Sequence, residues 1–282
     1  MSNEFKFRLP DGTEVRTGNQ VPETLPLSFS EYPDSDLLPL DQIAEIIRDP
    51  RRKTARDVFR DDWILNQGRR SSCNPYAVAG ALSRIRHRMG MEPVQFGPEF
   101  LYALINRGRD QGSLLDEGMV AVTEHGICPR EMIPYEAYRQ QDVSMEARRV
   151  AKACRAFECY RLPTSSLKKL WHSMVSAVCR NETIVLAVHV GNRFMATKEV
   201  AGVDRGPGNH AVGADDAIIQ GNPTDVMSIQ LDMFNSWGMS FGDRGRCLLT
   251  PRHVEEPMKY HAIYAMRSAT GDPNAENPFV SA

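Results

Sequence analysis

Four residue types that together perform nucleophilic acyl chemistry stand at telling places in this chain. Cys73 closes the polar, turn-prone stretch Asn66-Gln67-Gly68-Arg69-Arg70-Ser71-Ser72 and opens a run of small and apolar residues ending near Leu82. Pro75 is tolerated in a helix only in the first turn, where its missing N–H has no intrahelical partner to lose, so Cys73 is predicted at a helix N-terminus. Unpaired N–H groups and the positive end of the helix dipole favour a thiolate there. A buried structural cysteine is the commoner fate of a free thiol, so partners must decide. A cysteine nucleophile needs a base, a group that orients the base, and donors for the oxyanion. His210 stands where the Gly/Pro-rich loop 201–209 enters a strand, and Asn235 ends the next long strand. Two neighbouring strands can bring them together. His189, His87, His125 and His172 have no assigned partner and read as packing or surface residues, as does Cys128.

The elements around these residues divide by character. Residues 4–17 read as a hairpin in which Phe5, Phe7 and Leu9 alternate, Pro10-Asp11-Gly12 turns and Thr13-Glu14-Val15-Arg16 returns. Residues 18–36 read as an extended linker, and Asp41–Ile47 as a short helix stopped near Asp49-Pro50. Helices are predicted at about 73–89, from Gly97-Pro98, after a Ser113 cap, at 144–158 and at 165–180. Strands follow: the β-branched run 183–190, His210 onward through Ile219, 226–234, 247–249 and 262–265. This reads as an α+β protein with 1–60 as an N-terminal arm, 61–267 as the body (helical lobe about 61–160, β lobe about 161–267) and 268–282 as a flexible tail.

In their order and spacing these residues resemble the papain-like cysteine peptidases. Gln67-Gly68 stands six residues before Cys73, and His210-Ala211 gives a family-like histidine context. Asn235-Ser236-Trp237-Gly238 with Phe241-Gly242-Asp243-Arg244-Gly245 resembles the family's asparagine block. Gly112-Ser113, Gly126-Ile127-Cys128-Pro129 and Ile133-Pro134-Tyr135 resemble its bacterial and viral branch. The resemblance covers roughly residues 60–265. It implies a two-lobe papain-like fold, a helical N-terminal lobe and an antiparallel, barrel-like β lobe, with the active-site cleft between them. It also implies Cys73 as nucleophile, His210 as base in a thiolate–imidazolium pair, and Asn235 as the group orienting His210. Gln67 and the Cys73 N–H would form the oxyanion hole, and Trp237 would shield the Asn–His contact.

The chain departs from the pattern at several points. Asn74 stands where the family has an aromatic residue, and Arg70 where secreted members have a disulfide cysteine. Asp110-Gln111-Gly112-Ser113 lies near the place of the Gly-Gly cleft segment, Phe241 replaces a second tryptophan, and no long helical pro-region precedes the body.

The expected activity is a thiol-dependent endopeptidase acting on polypeptides. The alternatives are a papain-like structural or binding component of a larger assembly, such as a virion, docked through the arm, and a thiol amidase or transferase. A formal charge of −2 over 282 residues gives no electrostatic reason to expect nucleic acid or a membrane as partner. The short basic runs Arg51-Arg52-Lys53 and Arg84-Ile85-Arg86-His87-Arg88 read as solvated faces. The six cysteines form no CxxC pair and no zinc-spaced cluster, so no metal or cofactor is expected. Unpaired thiols and the lack of a secretory signal point to a reduced, cytoplasmic compartment, a host cytoplasm or virion if the source is a phage.

Overall fold

A computed structural model describes residues 6–9, 11–24, 28–59 and 61–270. Phe5, Pro10 and the tail beyond residue 270 lie outside them. The helices are α1 (Leu40–Arg48), α2 (Ala55–Val58), α3 (Cys73–Arg88), α4 (Pro98–Ile105), α5 (Leu115–Glu124), α6 (Met145–Ala151), α7 (Leu167–Cys179), α8 (Asn192–Met195) and α9 (Arg252–Glu255). The strands are β1 (Lys6–Arg8), β2 (Glu14–Arg16), β3 (Cys159–Arg161), β4 (Thr183–Val188), β5 (His210–Ile219), β6 (Ile229–Phe234), β7 (Arg246–Leu249) and β8 (Tyr264–Met266).

The wholly apolar run of β4 is explained by what lies on its two faces. Ile184, Leu186 and Val188 point into one core, and Val185 and Ala187 into another. A strand covered on both sides has no polar face, so its sequence does not alternate. β4 is central in a six-stranded antiparallel sheet of order β3-β8-β4-β5-β6-β7. On one face α3, α4, α5 and α6 bring Val78, Leu82, Leu101, Met119, Val122 and Ala147 against it. On the other, α7 contributes Leu170, Trp171, Met174 and Val178. This is the expected α+β arrangement of a helical lobe and a sheet lobe.

The hairpin forms, with Arg8 opposite Glu14 and Lys6 opposite Arg16. The arm is not a loose linker. Leu9, Val15, Tyr32, Leu38 and Ile43 are buried in the α7-side core. The Tyr32 N–H donates to the Arg161 carbonyl and the Leu38 N–H to Ser176 Oγ.

Some sequence expectations are corrected. Ser113 does not cap α5; Leu114 takes that position, and its backbone N–H bonds the Glu117 carboxylate. The helix expected over 144–158 ends at Ala151, because the chain turns to let the Cys154 carbonyl accept from the Ile127 N–H and then enters β3. The run Arg84-Ile85-Arg86-His87-Arg88 is not a solvated face, since Arg84 and Arg86 are buried. Arg84 Nε donates to Asp215 at 2.7 Å.

Candidate active site

Cys73 is the first residue of α3, as Pro75 requires. α3 packs against β4 and β5, and the thiol faces the backbone N–H of Ala211, the residue after His210. His210 begins β5, and its entry is fixed by Asn209. That side chain bonds the Val190 backbone at both ends, Oδ1 accepting from the N–H at 2.8 Å and Nδ2 donating to the carbonyl at 3.1 Å.

The antiparallel pairing of β5 with β6 sets Asn235, just past the end of β6, beside His210. His210 Nε2 and Asn235 Oδ1 are 2.8 Å apart. The Ser236 N–H also donates to that oxygen at 2.7 Å, which fixes the amide's orientation. An acceptor oxygen requires that Nε2 carry the imidazole proton, which leaves Nδ1 as the basic nitrogen. Nδ1 is buried without a hydrogen-bond partner. Trp237 stacks on the imidazole, ring centres 4.2 Å apart and planes at 24°, and is fully buried beneath Phe194 and Phe241. The structure thus brings His210, Asn235 and Trp237 into one packed unit.

Gln67 joins the same unit through backbone and side chain. Its N–H donates to the Ser236 carbonyl at 2.8 Å, and its Oε1 accepts from Ser236 Oγ at 2.5 Å. The Gln67 loop is also held by Tyr135, whose hydroxyl donates to the Gln67 carbonyl at 2.8 Å. Arg70 lies over the rings of Tyr135 and Tyr138 at 4.8 and 5.7 Å. These cation–π contacts brace the loop at the position for which the resemblance supplies a disulfide.

The cleft beside these residues is filled by the chain's own arm. Residues 16–20 cross between the lobes as an extended strap. The Gly18 carbonyl accepts from the Ser113 N–H and the Gln20 N–H donates to the Ser113 carbonyl, both at 2.9 Å. On the β side, the Asn19 N–H donates to the Asn209 carbonyl at 3.1 Å. Gln67 Nε2 donates to the Arg16 carbonyl at 3.1 Å and to Arg70 O at 2.6 Å. The donor that the sequence assigns to an oxyanion therefore already holds a peptide carbonyl. The strap fits only as glycine at one point: a Cβ on Gly18 would stand 2.1 Å from the Ser71 carbonyl oxygen, and one on Gly112 would stand 1.8 Å from Gly18 O. Beyond the strap a cavity of about 470 Å³ continues the cleft, walled by Leu114, Leu115, Ala262 and Tyr264 and by arm residues Gln20–Thr24. The larger surface cavity, about 900 Å³ between α8 and α9, has charged walls and contains none of these residues.

Covering the site changes its electrostatics. Cys73 and His210 are both fully buried. Burial pushes the Cys73 thiol up to about 11, with the Ala211 and Gly18 N–H groups opposing. Burial likewise pulls His210 down to about 4, against the Asn235 hydrogen bond. At neutral pH Cys73 is held as a thiol and His210 as a neutral imidazole, and no hydrogen bond joins them. Among the described residues no group of three or more His, Cys, Asp or Glu could hold a metal ion.

No protein-family model and no curated protein sequence matches the chain. Solved structures do. Xylellain, a cysteine protease from Xylella fastidiosa, superposes with a TM-score of 0.64 over 94% of this chain and 98% of its own, at 15% identity. The fold is that of papain-like cysteine proteases. Digestive procathepsin L 3 of Tenebrio molitor matches at TM-score 0.59 and 14% identity, over 82% of this chain and 78% of that one. The stem bromelain precursor matches at 0.60 and 19%, over 90% and 76%. At these identities the likeness speaks for the fold alone.

Several contributors were not read from the sequence. The strap at Gly18 lies at the start of the stretch that reads from the sequence as linker. Asn74 and Ser113 read from the sequence as a departure and a helix cap, and in the structure they bond one another.

Proposed function

We propose that the chain is a thiol-dependent endopeptidase of the bacterial and viral papain-like branch, held closed by its own N-terminal strap. The observation that carries this reading is the hydrogen-bonded order Ser236 N–H to Asn235 Oδ1 and His210 Nε2 to Asn235 Oδ1, which leaves His210 Nδ1 as a bare base. With the strap withdrawn, water lowers the desolvation that keeps both groups neutral. The Cys73 proton passes to His210 Nδ1, and Asn235 holds the imidazolium in place. The thiolate attacks the peptide carbonyl carbon, and the oxygen takes the place of the Arg16 carbonyl on Gln67 Nε2. His210 then gives its proton to the leaving amine, the C–N bond breaks, and an acyl-Cys73 thioester remains. Water, deprotonated by His210, hydrolyses it and restores the thiol.

The test uses the full chain carrying Gly18→Val, which cannot seat the strap. This variant is expected to cleave an unstructured protein, and its Cys73 to react with iodoacetamide at pH 6 at least about tenfold faster than the other five cysteines. Adding Cys73→Ala should abolish cleavage without moving the melting temperature. Cleavage that survives Cys73→Ala, or equal slow labelling of all six thiols, means the nucleophile lies elsewhere.

A further inference from the structure

Asn74 is the residue that follows Cys73 on α3. Its side chain is fully buried and bonds the Ser113–Leu114 segment. Asn74 Nδ2 donates to Ser113 Oγ at 3.0 Å and to the Leu114 carbonyl at 2.5 Å. α5 makes room for this amide with a glycine: a Cβ on Gly118 would stand 2.3 Å from Asn74 Oδ1. The segment so held offers its remaining backbone groups to the cleft, because the Ser113 N–H and carbonyl are the two groups that pair with the strap.

We infer that Asn74 is a positioning residue that fixes the Ser113–Leu114 edge as the pairing strand for an extended peptide, first the strap and then the substrate. The inference rests on the peptidase reading for its second half only. A buried amide donating to two neighbouring residues pins an otherwise irregular segment in one register. An extended chain then pairs with that edge through main-chain bonds, which place its carbonyl at Cys73 independently of side-chain identity. The loop Asp110–Ser113 has no regular element of its own to hold it. The Ser71 N–H to Asp110 Oδ1 bond at 2.9 Å and the Glu117 carboxylate on the Leu114 N–H brace its flanks. Asn74 is the link that runs from the Ser113–Leu114 edge to the nucleophile's own helix.

Hydrogen exchange on the full chain tests the first half without any catalysis. In Asn74→Ala and in Asn74→Leu, which fills the space without donors, the Ser113 and Gln20 amides should exchange about tenfold faster or more, as for a lost pair of hydrogen bonds. Leu186 and Val212, paired in the sheet behind, should stay within about twofold. Where neither variant folds, Ser113→Ala removes one of the two acceptors and should give about a threefold acceleration at Gln20. Unchanged Ser113 and Gln20 exchange in a folded variant overturns the inference. In the Gly18→Val background, Asn74→Ala should raise KM for an extended peptide about fivefold while Cys73 alkylation by iodoacetamide stays within about twofold. A fall in alkylation places Asn74 on the nucleophile and refutes the edge role. Altered exchange in a chain that never cleaves peptide removes the peptidase reading and leaves the edge intact.

Discussion

At the scale of the residue, the covered site is a set of groups kept in their neutral forms by burial. His210, His253 and His261 are all held below the ordinary imidazole range by burial, while Cys73 is pushed to about 11. The unfolded chain protonates its imidazoles near pH 6.5, but folded His210 resists until about 4. Stability should therefore fall as pH drops through that window, because the unfolded state binds more protons there. The thiol acts at the other end. Its unfolded form ionises near 9 and its folded form near 11, so stability should also fall as pH rises between them. The melting temperature of the full chain should thus peak between about pH 6.5 and 9. His210→Ala should lessen the slope of the acid limb, which His253 and His261 share, and Cys73→Ser that of the alkaline limb, which the other buried cysteines share. Limbs of unchanged slope in both variants would mean these groups are not the ones that burial neutralises. The contacts among Gln67, His210, Asn235 and Trp237 were foreshadowed in the sequence because each residue sits in a local motif. Asn74 was visible only as a departure, since a donor's acceptors lie about forty residues away and no local pattern names them.

At the scale of the element, the strap depends on backbone clearance more than on side chains. It is held by main-chain bonds to Ser113 and Asn209 and by Gln67, and it passes Ser71 only because residue 18 lacks a Cβ. Gly18→Val places atoms inside the Ser71 carbonyl and must lift the strap. Alkylation of Cys73 in the full-length variant should rise by about tenfold or more over the wild type, since access to a buried thiol then needs no local opening. Equal labelling of both proteins would show that the strap does not close the cleft. Periodicity and breakers made most elements readable: α1, α3, α4, α7, β4 and β5 each lie within a few residues of expectation. β3 was missed because a three-residue strand has no period to detect, and it exists only by pairing with β8 from the far end of the chain. The strap was missed for a related reason. An extended segment whose partners come from two lobes has no signature of its own.

At the scale of the whole molecule, the two cores share one sheet, and a buried ionic network ties α3 to it. Arg84 of α3 donates to Asp215 of β5, which also accepts from Arg246 of β7. Arg246 reaches Asp232 of β6 at 3.2 Å, and Arg56 of α2 bonds both oxygens of Asp232. Arg84 also lies 3.6 Å over the Phe234 ring, one residue before Asn235. The strands that carry His210 and Asn235 are thereby fixed to the helix that carries Cys73. From sequence the basic run read as solvated, because the acidic partners stand some 130 residues away among apolar residues of β5 and β6. Burial alone would raise the Asp215 carboxyl, but Arg246, Arg84 and Arg88 outweigh it and hold it below the usual carboxylate range. Such a network is poor evidence of net stability, yet breaking it is costly, because the charges left behind are desolvated without a counter-charge. Asp215→Asn should cost about 3–5 kcal/mol in urea unfolding at pH 7, since Arg84 and Arg246 both lose their shared partner. Replacing Arg84 and Asp215 together by Met and Leu should cost clearly less than Asp215→Asn, because Arg246 retains Asp232 and no uncompensated cation remains at Arg84. A loss under about 1 kcal/mol for Asp215→Asn, or a double variant no better than the single one, would mean that apolar packing alone, not the network, joins α3 to the sheet.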